Sequence, residues 1–433
     1  MKISNKDFVP LHNHSMFSLF DGLSSLEGFV QKSRAMGFPA IALTDHGNVG
    51  GWIKLIQTCK ATKDKHDKSI EHPPIKPILG MEAYLSADHT FKSNKEQKDA
   101  RRGNRHINLI AKNFKGYQNI CQLSNDAFKE GFFHDPRIDI NQLAEHSEGV
   151  ILGSACLSSV INSNLLHDRY SHAKKSCSIF KDIFDKDFFL EVMYHGIPEE
   201  AAIVPDVFKL SSELDIPIVC TNDSHYLERE DAKAQEVLMC MSTSKCIHDE
   251  RRINFPYEEF YLKSAEEMAE VWGDHPEVLF NSVDIADRVN SVDIESKLFG
   301  GMRLPKFDVP DGFDNPFEYL KHLAGDGMKR LNWDKSKKHV KRLGQELEDI
   351  KVAYENNNYD FATYFLIVWD YVNYAKEHGI LTGPGRGSGY ASVLLHCLGI
   401  AYGLDPVGEF PMLWERFLAF DDLKYVKESD FGF

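Results

Sequence analysis

Short apolar runs alternate with helical patterns along the first 285 or so residues. The apolar runs have strand length and end at turn-forming residues, so they predict seven strands: VPLHNH, PAIALTDHG, KPILGMEAYLS, INLIAKN, GVILGSAC, FFLEVMYHG and IPIVCTNDSHY. Helical candidates lie between several of them, such as SLEGFVQKSRAMG, AAIVPDVFKLSSELD and the region around HAKKSCSIFKDIF. This alternation predicts a parallel sheet, and about seven repeats predict an α/β barrel, whose functional residues lie at the C-terminal ends of the strands.

A linker separates this region from a helical one. Residues 286–316 lose the periodicity and gather Gly, Pro and Asp, which is typical of a linker. Helical patterns resume at Phe317, and the charged stretch KSKKHVKRLGQELEDIKVAYE predicts a solvated amphipathic helix. The predicted organisation is a domain over 1–285, a linker over 286–316 and a second domain over 317–433.

The second domain carries a glycine-rich loop, GPGRGSG, at residues 383–389. An apolar helix from about Tyr364 to Glu377 and a predicted short strand, ILTG, precede the loop, and a further helix follows. Such a loop exposes backbone N–H groups to an anion, and Arg386 and Ser388 add donors. No GK[ST] follows, so it is not a Walker A loop, and the glycine spacing does not match the dinucleotide fingerprint. A phosphate cradle is the favoured interpretation and a flexible turn is the alternative.

Composition limits the classes of function. No run of eighteen or more apolar residues is present, and the start MKISNKDFVP lacks the apolar core of a signal peptide, so neither a membrane partner nor secretion is expected. The eight cysteines form no CxxC pair, which favours the cytoplasm over a disulfide framework. The formal net charge of −15 argues against simple electrostatic coating of nucleic acid, but not against an enzyme that meets phosphates through bound metals.

Metal-competent side chains recur near the ends of the predicted strands. In HNH, His12 and His14 stand at i and i+2 of a predicted strand and therefore face the same way. The other candidates are Asp21, His46, Glu82, His106, Cys156, His195, Asp223 and His225. Each one has an ordinary structural alternative, such as a buried cysteine or a satisfied core histidine. Their recurrence at nearly every strand end favours a metal site, and the residue types suit zinc or manganese rather than calcium.

These motifs resemble a known family. The first 285 residues resemble the polymerase-and-histidinol-phosphatase (PHP) domain, and the whole chain resembles the N-terminal part of bacterial DNA polymerase III alpha subunits. The matching pieces are HNHSMFSLFDG, ALTDHGN, IKPILGMEAY, GYQN, GSACL, TNDSHY, FPYEEFYLKSAEEM, YFLIVWDYVNYAKEHGI, GPGRGS and WERFL. Phosphoesterases share the PHP motifs, whereas YFLIV, GPGRGS and ERFL are specific to the replicative polymerase. The resemblance implies an α/β fold, a distorted (β/α)7 PHP barrel followed by a mostly α partial palm domain.

The resemblance also implies up to three ions, Zn²⁺ or Mn²⁺, with nine ligands. One ion would be held by His12, His14, Glu82 and Asp223. Glu82 would bridge to a second ion, held with His106 and Cys156. The third would be held by Asp21, His46 and His225. Catalytic roles would fall on His12, Glu82, Asp223 and His225, and the implied activity is a 3′–5′ exonuclease. His195 lies outside the nine and is interpreted as a structural or substrate-side histidine.

In the second domain the resemblance implies contacts with a nucleotide triphosphate through Arg386, Gly387, Ser388 and Arg416, with Mg²⁺ in the complete polymerase. The family's next motif, Pro-Asp-x-Asp-x-Asp-Phe, is not matched by the three aspartates that follow, Asp421, Asp422 and Asp430. Two-metal nucleotidyl transfer needs such carboxylates, so the chain alone is not expected to polymerise DNA.

The implied partners are DNA, deoxynucleoside triphosphates, and either the remaining polymerase portion or replisome subunits. A free-standing PHP phosphoesterase and a non-catalytic scaffold are the alternatives.

Overall fold

The computed structural model describes residues 3–63, 71–92, 104–249, 251–252, 257–300, 305–357, 359–385 and 387–418. The chain divides into two compact units, Met1–Gly300 (unit 1) and Gly301–Phe433 (unit 2). Among the described residues, no helix has both the length and the hydropathy that a membrane span requires.

The described residues of unit 1 form a curled sheet of seven strands. They are β1 Ala40–Leu43, β2 Lys76–Leu85, β3 Arg105–Ala111, β4 Arg137–Ile138, β5 Val150–Gly153, β6 Phe188–Val192 and β7 Ile218–Cys220. The order is β1-β2-β3-β5-β6-β7, with β4 beside β2. Strand β3 is antiparallel to β2 and β5, and the other pairs are parallel. The prediction of a parallel sheet is therefore wrong at β3. The described residues between β2 and β3 contain no helix that could make a crossover.

The first predicted strand, VPLHNH, is not a regular strand, and among the described residues its only ladder contact is an isolated bridge from Asn13 to Ser224. Its backbone nevertheless bonds to both edges of the sheet. The amide of His14 donates to the Ser224 carbonyl (2.8 Å), and the amide of Thr44 donates to the Asn13 carbonyl (3.0 Å). The Asn13 side chain also donates to the carbonyl of Ala42 in β1 (3.0 Å). The segment thus joins β1 to the residues after β7 and closes the curled sheet, in agreement with a distorted barrel.

Eleven α-helices accompany the strands in the described part of unit 1. They are α1 Leu26–Met36, α2 Trp52–Lys60, α3 Phe114–Lys129, α4 Ile140–Glu145, α5 Val160–Leu165, α6 Tyr170–Phe184, α7 Pro198–Leu214, α8 Ala232–Ser242, α9 Ala265–Trp272, α10 Glu277–Arg288 and α11 Ser291–Leu298. The three helices named from the sequence correspond to α1, α6 and α7, so those predictions are confirmed.

Alternate residues of the strands enter two different cores. In β1, Ile41 and Leu43 pack with the helices in the main core, whereas Ala40 and Ala42 belong to a second apolar cluster. The second cluster also contains residues from one face of β2, β3, β5, β6 and β7, and these residues pack against α10. The two-residue period of a strand produces this division, and it leaves one end of the sheet free for polar side chains.

The boundary between the units lies later than the predicted linker start. Helix α11 begins at Ser291 and is capped by Asn290, whose side chain accepts from the amide of Asp293 (3.0 Å). Its Ile294 is 1% exposed in the main core, and Asp293 accepts from the Phe114 amide (2.9 Å). Residues 286–300 therefore pack as part of unit 1, because a single buried apolar side chain and a good N-cap hold a helix too short to show periodicity.

Unit 2 is helical in the residues described. Its helices are α12 Pro316–Arg330, α13 Lys337–Asn357, α14 Phe361–Glu377 and α15 Val393–Cys397, with 3₁₀ turns at Gly387–Ala391 and Trp414–Arg416. The predicted strand ILTG is wrong, since residues 380–383 form no strand. Helix α14 ends before Gly379, which adopts a left-handed φ of 70°, so the chain leaves the helix and turns into the glycine-rich loop.

Candidate metal centre

The fold brings all nine predicted ligands to one end of the sheet in unit 1. Segment 10–14 contributes His12 and His14, and the turn after it contributes Asp21. Five more follow the C-terminal ends of parallel strands or lie within β2: His46, Glu82, Cys156, Asp223 and His225. His106 lies near the start of β3, and it reaches the same end because β3 runs antiparallel. The reversed strand is thus what lets His106 join the cluster.

Glu82 is the centre of the cluster and is 1% exposed. Its Oε1 lies 3.4 Å from His12 Nε2 and 3.1 Å from His106 Nδ1. Its Oε2 lies 2.8 Å from His46 Nδ1 and 3.5 Å from His14 Nε2. Neither oxygen makes a hydrogen bond of regular geometry within the described structure. A buried carboxylate surrounded by four imidazole nitrogens and lacking a donor has the arrangement of a ligand that bridges cations.

Asp223 and Asp21 extend the cluster to either side of Glu82. Asp223 Oδ1 lies 2.9 Å from His14 Nε2 and 3.4 Å from His12 Nε2. Asp21 lies 3.2 Å from His46 Nε2 through Oδ2 and 3.6 Å from His225 Nε2 through Oδ1. Asp223 Oδ1 also lies 3.7 Å from His225 Nδ1. Asp223 thus faces three imidazoles and Asp21 faces two, and His225 is common to both.

Cys156 completes the set through His106. Its Sγ lies 3.4 Å from His106 Nδ1, the same nitrogen that approaches Glu82. Burial and the carboxylates of Glu82 and Asp223 raise the pKa of the Cys156 thiol well above its usual value. A cation held beside the sulfur would have the opposite effect and favour the thiolate.

Three trios of these side chains bring their ligand atoms within 4.8 Å of one another, as a shared ion requires. They are His12, His14 and Glu82; His46, Glu82 and His106; and His14, His46 and His225. Glu82 belongs to two of them, which agrees with a bridging position. The described structure also holds a fourth trio outside the nine, Asp88, His89 and Asp139. There His89 Nδ1 already lies 2.6 Å from Asp139, and Asp139 caps α4, so this trio is explained as a structural pair.

The hydrogen-bond partner of His12 directs its other nitrogen into the cluster. His12 Nδ1 lies 3.0 Å from Glu191 Oε2, and the Thr221 hydroxyl donates to the same oxygen (2.8 Å). A carboxylate only accepts, so the proton of this bond is on Nδ1 and Nε2 is the atom offered to a cation. The Nε2 atom is buried and has no hydrogen-bond partner of its own in the described structure.

Two more histidines are oriented in the same way. The Ser18 hydroxyl donates to Asp45 (2.8 Å), so its free lone pair accepts from His14 Nδ1, 3.1 Å away. His225 Nδ1 lies 2.8 Å from the backbone carbonyl of Asp223, which can only accept. In both imidazoles Nδ1 is therefore the donor and Nε2 faces the other ligands. This pattern of outer acceptors behind inward nitrogens is the one that metal-binding histidines show, and the residues present fit a metal ion.

Glu191 was missed from the sequence, although it has a detectable signal. It is the single charged residue in the buried apolar run FFLEV and is 2% exposed. Its Oε1 accepts from the amide of Ala155 (3.0 Å). A Cβ on Gly153 would lie 2.1 Å from that oxygen, so only glycine leaves room for the carboxylate. A lone charge inside a buried strand needs several partners, and this requirement could have marked Glu191 as part of a site.

Without a cation the cluster balances carboxylates against imidazoles. Burial lowers the pKa of His14 to about 3, and the neighbouring His46 and His225 act in the same direction. Burial alone would lower the pKa of His225 as well, but the carboxylates of Asp21 and Asp223 outweigh it and raise the pKa to about 9. Protons on some imidazoles thus stand where cations would otherwise neutralise the carboxylates, so metal binding is expected to release protons.

The backbone is strained where it delivers ligands. Phe20, Ala155 and Asp223 have left-handed φ angles of 63°, 58° and 45°, although none is glycine. The first two directly precede Asp21 and Cys156, and the third is itself a ligand. Such conformations cost about 1–3 kcal/mol each and concentrate at functional sites.

His195 is buried at the same end but does not face the ligands. Its Nδ1 lies 2.7 Å from Glu200 Oε1, and its Nε2 lies 2.8 Å from the Asn222 carbonyl. Both nitrogens are engaged, and the ring stacks on Phe260 at 4.0 Å. Of the two interpretations from the sequence, these contacts support the structural one.

In unit 2 the predicted nucleotide contacts are only partly visible. Arg386 lies outside the described residues, as do Asp421, Asp422 and Asp430. Gly387 and Ser388 are exposed at the start of a 3₁₀ turn. Gly385 has a φ of 121°, and a Cβ there would lie 3.2 Å from the Tyr390 ring, so the loop requires glycine at this position.

Arg416 is exposed at the end of the second 3₁₀ turn. The next residue, Phe417, lies 3.9 Å from the position of a Cβ on Gly389. The segment that carries Arg416 thus packs beside the segment that carries Ser388. Their shared role in binding a nucleotide stays a prediction.

Each of the two units contains a region that matches a known protein family. Residues 10–195 match the PHP domain, and residues 318–425 match the bacterial DNA polymerase III alpha NTPase domain. The chain is 38% identical to DNA polymerase III subunit alpha of Borreliella burgdorferi over 414 residues, which is 95% of this chain and 34% of that protein. It is also 38% identical to the subunit of Treponema pallidum and 37% identical to that of Helicobacter pylori, over 96% of this chain and 34% of each relative. The chain thus spans about a third of the length of these relatives.

Proposed function

Because this chain joins a PHP domain to a bacterial DNA polymerase III alpha NTPase domain, as the N-terminal part of the alpha subunit does, we propose that unit 1 cleaves phosphodiester bonds with bound divalent cations, as a 3′–5′ exonuclease. The observation that carries the proposal is Glu82, fully buried among four imidazoles with no hydrogen-bond donor of regular geometry in the described structure. Burying an ionised carboxylate without donors is costly, so a purely structural role does not account for it.

The side chains of the cluster would hold up to three ions, Zn²⁺ or Mn²⁺. Bound divalent cations supply the Lewis acidity that activates water and neutralises the charge of a phosphodiester. Glu82 would hold two of the ions, and Asp223 and His12 would be further ligands of the first of these two. Glu191 keeps the Nε2 atom of His12 directed inward (Nδ1 to Oε2, 3.0 Å). His225, beside Asp21 at the partly exposed side of the cluster, would hold the third ion together with Asp21 and His46.

The surface beside the cluster best suits the unpaired end of a DNA strand as substrate. The turn that delivers Asp21 exposes Met16, Leu19 and Phe20 by 51%, 78% and 49%. Exposed apolar and aromatic side chains at the mouth of a phosphodiesterase site can pack against unstacked bases. The net charge of −15 disfavours broad contact with a duplex, so affinity for DNA is expected to be weak and to fall steeply with salt.

In the longer polymerase, unit 2 would help bind the incoming deoxynucleoside triphosphate, with Mg²⁺ as the polymerase metal. The exposed Gly387 and Ser388, the left-handed glycines of the loop and the nearby Arg416 support this role. DNA and the remaining polymerase portion or replisome subunits would be its partners. The chain alone is not expected to extend a primed template.

The exonuclease proposal is tested with a 3′-labelled single-stranded oligonucleotide in the presence of Mn²⁺. Wild-type chain should release the terminal nucleotide, and Asp223→Asn should abolish release, because it removes one charge from a ligand that faces three histidines. Glu200→Gln is the matched control, since Glu200 is an equally buried partner of a histidine, His195, outside the cluster.

Equal release by wild type and Asp223→Asn would identify a contaminant. If neither cuts although both are folded, the PHP unit is a scaffold and the proposal fails. Metal content measured on the same preparations separates a failure of binding from a failure of catalysis.

A further inference from the structure

Unit 2 contains a cavity of about 340 Å³ beside the C-terminal end of α15. Side chains that line it include Arg330, Trp333, Lys376, His396, Tyr402 and Asp405. All of them lie within the described residues and outside the glycine-rich loop, and none belongs to the predicted nucleotide contacts. The chemistry of this wall differs from that of an ordinary apolar cavity.

Two cations reach the cavity and are held by backbone carbonyls. The Nη2 atom of Arg330 donates to the Cys397 carbonyl (2.7 Å) and lies 3.5 Å from the His396 carbonyl. The Nζ atom of Lys376 donates to the Gly399 carbonyl. Within the described structure neither cation is paired with a carboxylate within 4.0 Å. Their positions are therefore fixed while their charges stay without a partner, and both keep further N–H donors.

Glycine at 399 allows the two cations to approach the same point. Gly399 has a left-handed φ of 70°, and a Cβ there would lie 3.0 Å from Lys376 Nζ and 3.6 Å from Arg330 Nη2. Burial, together with the charge of Arg330, lowers the pKa of Lys376. Both side chains are exposed, and two like charges brought to the same point of the cavity wall repel each other, so an anion between them would remove that cost.

His396 adds a buried acceptor to the same wall. It is 4% exposed, and its Nδ1 lies 2.7 Å from the Ser392 carbonyl, so Nδ1 carries the proton. Its Nε2 is buried and finds no hydrogen-bond partner in the described structure. An acceptor beside two cations matches an anion that itself carries a hydroxyl, as a singly protonated phosphate does.

The one carboxylate on the wall is already engaged. Asp405 Oδ1 accepts from the amide of Val407 (2.9 Å) and lies 3.0 Å from His339 Nε2. The His339 ring in turn stacks on Trp333 at 4.2 Å. Asp405 is thus directed towards its own neighbours, and the wall that contains Arg330 and Lys376 keeps its positive character.

We propose that this cavity binds a phosphate group, with Arg330 and Lys376 on its oxygens and His396 Nε2 accepting from its hydroxyl. The group comes from inorganic phosphate or pyrophosphate, or from the phosphates of a nucleotide. The cavity adjoins the glycine-rich loop through Tyr402, whose amide donates to the Pro384 carbonyl (2.9 Å) and whose hydroxyl donates to the Thr382 carbonyl (2.8 Å). The site does not depend on the proposed metal centre, which lies in the other unit.

The test uses the full chain labelled with ¹⁵N-histidine and titrated with inorganic phosphate in the presence of EDTA, so that the metal centre does not contribute. The Nε2 resonance of His396, assigned by its loss in His396→Gln, should shift in a saturable way. Arg330→Gln and Lys376→Gln should each weaken binding about tenfold or more, because each removes a charge-assisted hydrogen bond. Lys329→Gln, on the same helix but outside the cavity wall, should bind as wild type does.

An unchanged His396 resonance at millimolar phosphate overturns the proposal, as does equal weakening in Lys329→Gln and Arg330→Gln. Thermal unfolding of each variant shows whether it is folded, and if Arg330→Gln is not, the wild-type titration and Lys376→Gln decide. Titration with pyrophosphate and with a deoxynucleoside triphosphate in place of phosphate distinguishes the sources, since the natural ligand should shift the same resonance at the lowest concentration.

Discussion

Two buried glutamates, one in each unit, have opposite surroundings. Glu82 in β2 is 1% exposed and has four imidazole nitrogens within 3.5 Å but no hydrogen bond of regular geometry. Glu346 in α13 is 0% exposed and accepts from the amides of Val393 and Leu394 (both 2.9 Å) and from the Ser392 hydroxyl (2.8 Å). Arg342 Nε also donates to it (3.1 Å).

The difference separates a ligand from a structural carboxylate. Glu346 satisfies the first amides of α15 and is itself satisfied, so it holds the segment that follows the glycine-rich loop. Glu82 has no hydrogen-bond donor of regular geometry in the described structure, and bound cations would supply the partners that its oxygens lack. The pKa shifts of the two glutamates differ in the same way. Burial raises the pKa of Glu346, whereas for Glu82 burial is outweighed by the surrounding histidines and its pKa is lowered well below the usual value. Burial of a charge by itself therefore does not identify a site, and the donors around it do.

The largest expected effect is a loss of bound metal when Glu82 is replaced. Since a bridging carboxylate holds two ions, Glu82→Ala should lose most of the bound zinc or manganese, whereas His46→Ala should lose roughly one equivalent. Elemental analysis of protein purified without chelator measures both. Equal metal contents in the two variants would contradict the bridging position.

The second prediction concerns Glu346. Replacing it by Ala leaves the Val393 and Leu394 amides and the Arg342 guanidinium without their acceptor, which should lower the free energy of unfolding by about 3–5 kcal/mol. Chemical denaturation followed by tryptophan fluorescence measures the change, because Trp414 is buried in the same core. Glu348→Ala, on the exposed side of α13, should change it by less than about 0.5 kcal/mol. Metal content should stay at the wild-type value, and a loss of metal would mean that Glu346 is not purely structural.

The third prediction concerns Glu191, a buried carboxylate that accepts a hydrogen bond from the proposed ligand His12. Glu191→Gln replaces the acceptor behind His12 with an amide and should weaken metal affinity by about 10–100-fold. Competition with a chromogenic chelator gives the affinity. Glu200→Gln makes the same change behind His195 and should leave the affinity as in wild type. The idea is lost if the two variants behave alike.

The smallest expected effect is a pH dependence. The folded-state pKa of Glu346 is raised above its ordinary value of 4.5, so its contribution to stability is fully present below that pH and declines as the pH rises through the raised value. Stability measured upwards from pH 4.5 should therefore fall less in Glu346→Gln than in wild type. Parallel curves would show that the donors around Glu346 fully offset its burial.

Local pattern predicted much of unit 1 correctly. Six of the seven predicted strands and the named helices are present, because apolar period and turn residues act within a few positions of each other. The failures depend on distant partners. VPLHNH has strand composition, but Pro10 lacks an N–H and the Asn13 side chain bonds to β1 in place of a regular ladder. The two-residue strand β4 is too short to carry a pattern at all.

The candidate site divides in the same way. Residue types and the family resemblance selected His12, Glu82 and the other ligands, but residue type says nothing about which atoms face inward. Glu191 and Asp45 were not selected, since their role is to accept from histidines and serines that are remote in the chain. Glu346 was assigned to a solvated helix because its sequence neighbours are charged, and the donors that surround it come from α15, some 46 residues later.

The sequence by itself determined the secondary-structure periods, the inventory of metal-competent side chains and the glycine positions that the loop requires, because these depend on local sterics and residue chemistry. Only the tertiary structure decided that β3 runs antiparallel and brings His106 to the other ligands, and that segment 10–14 closes the sheet. It alone decided which buried carboxylate has donors. Strand direction and hydrogen-bond partnership are set by contacts between residues far apart in the chain, where no local pattern reaches.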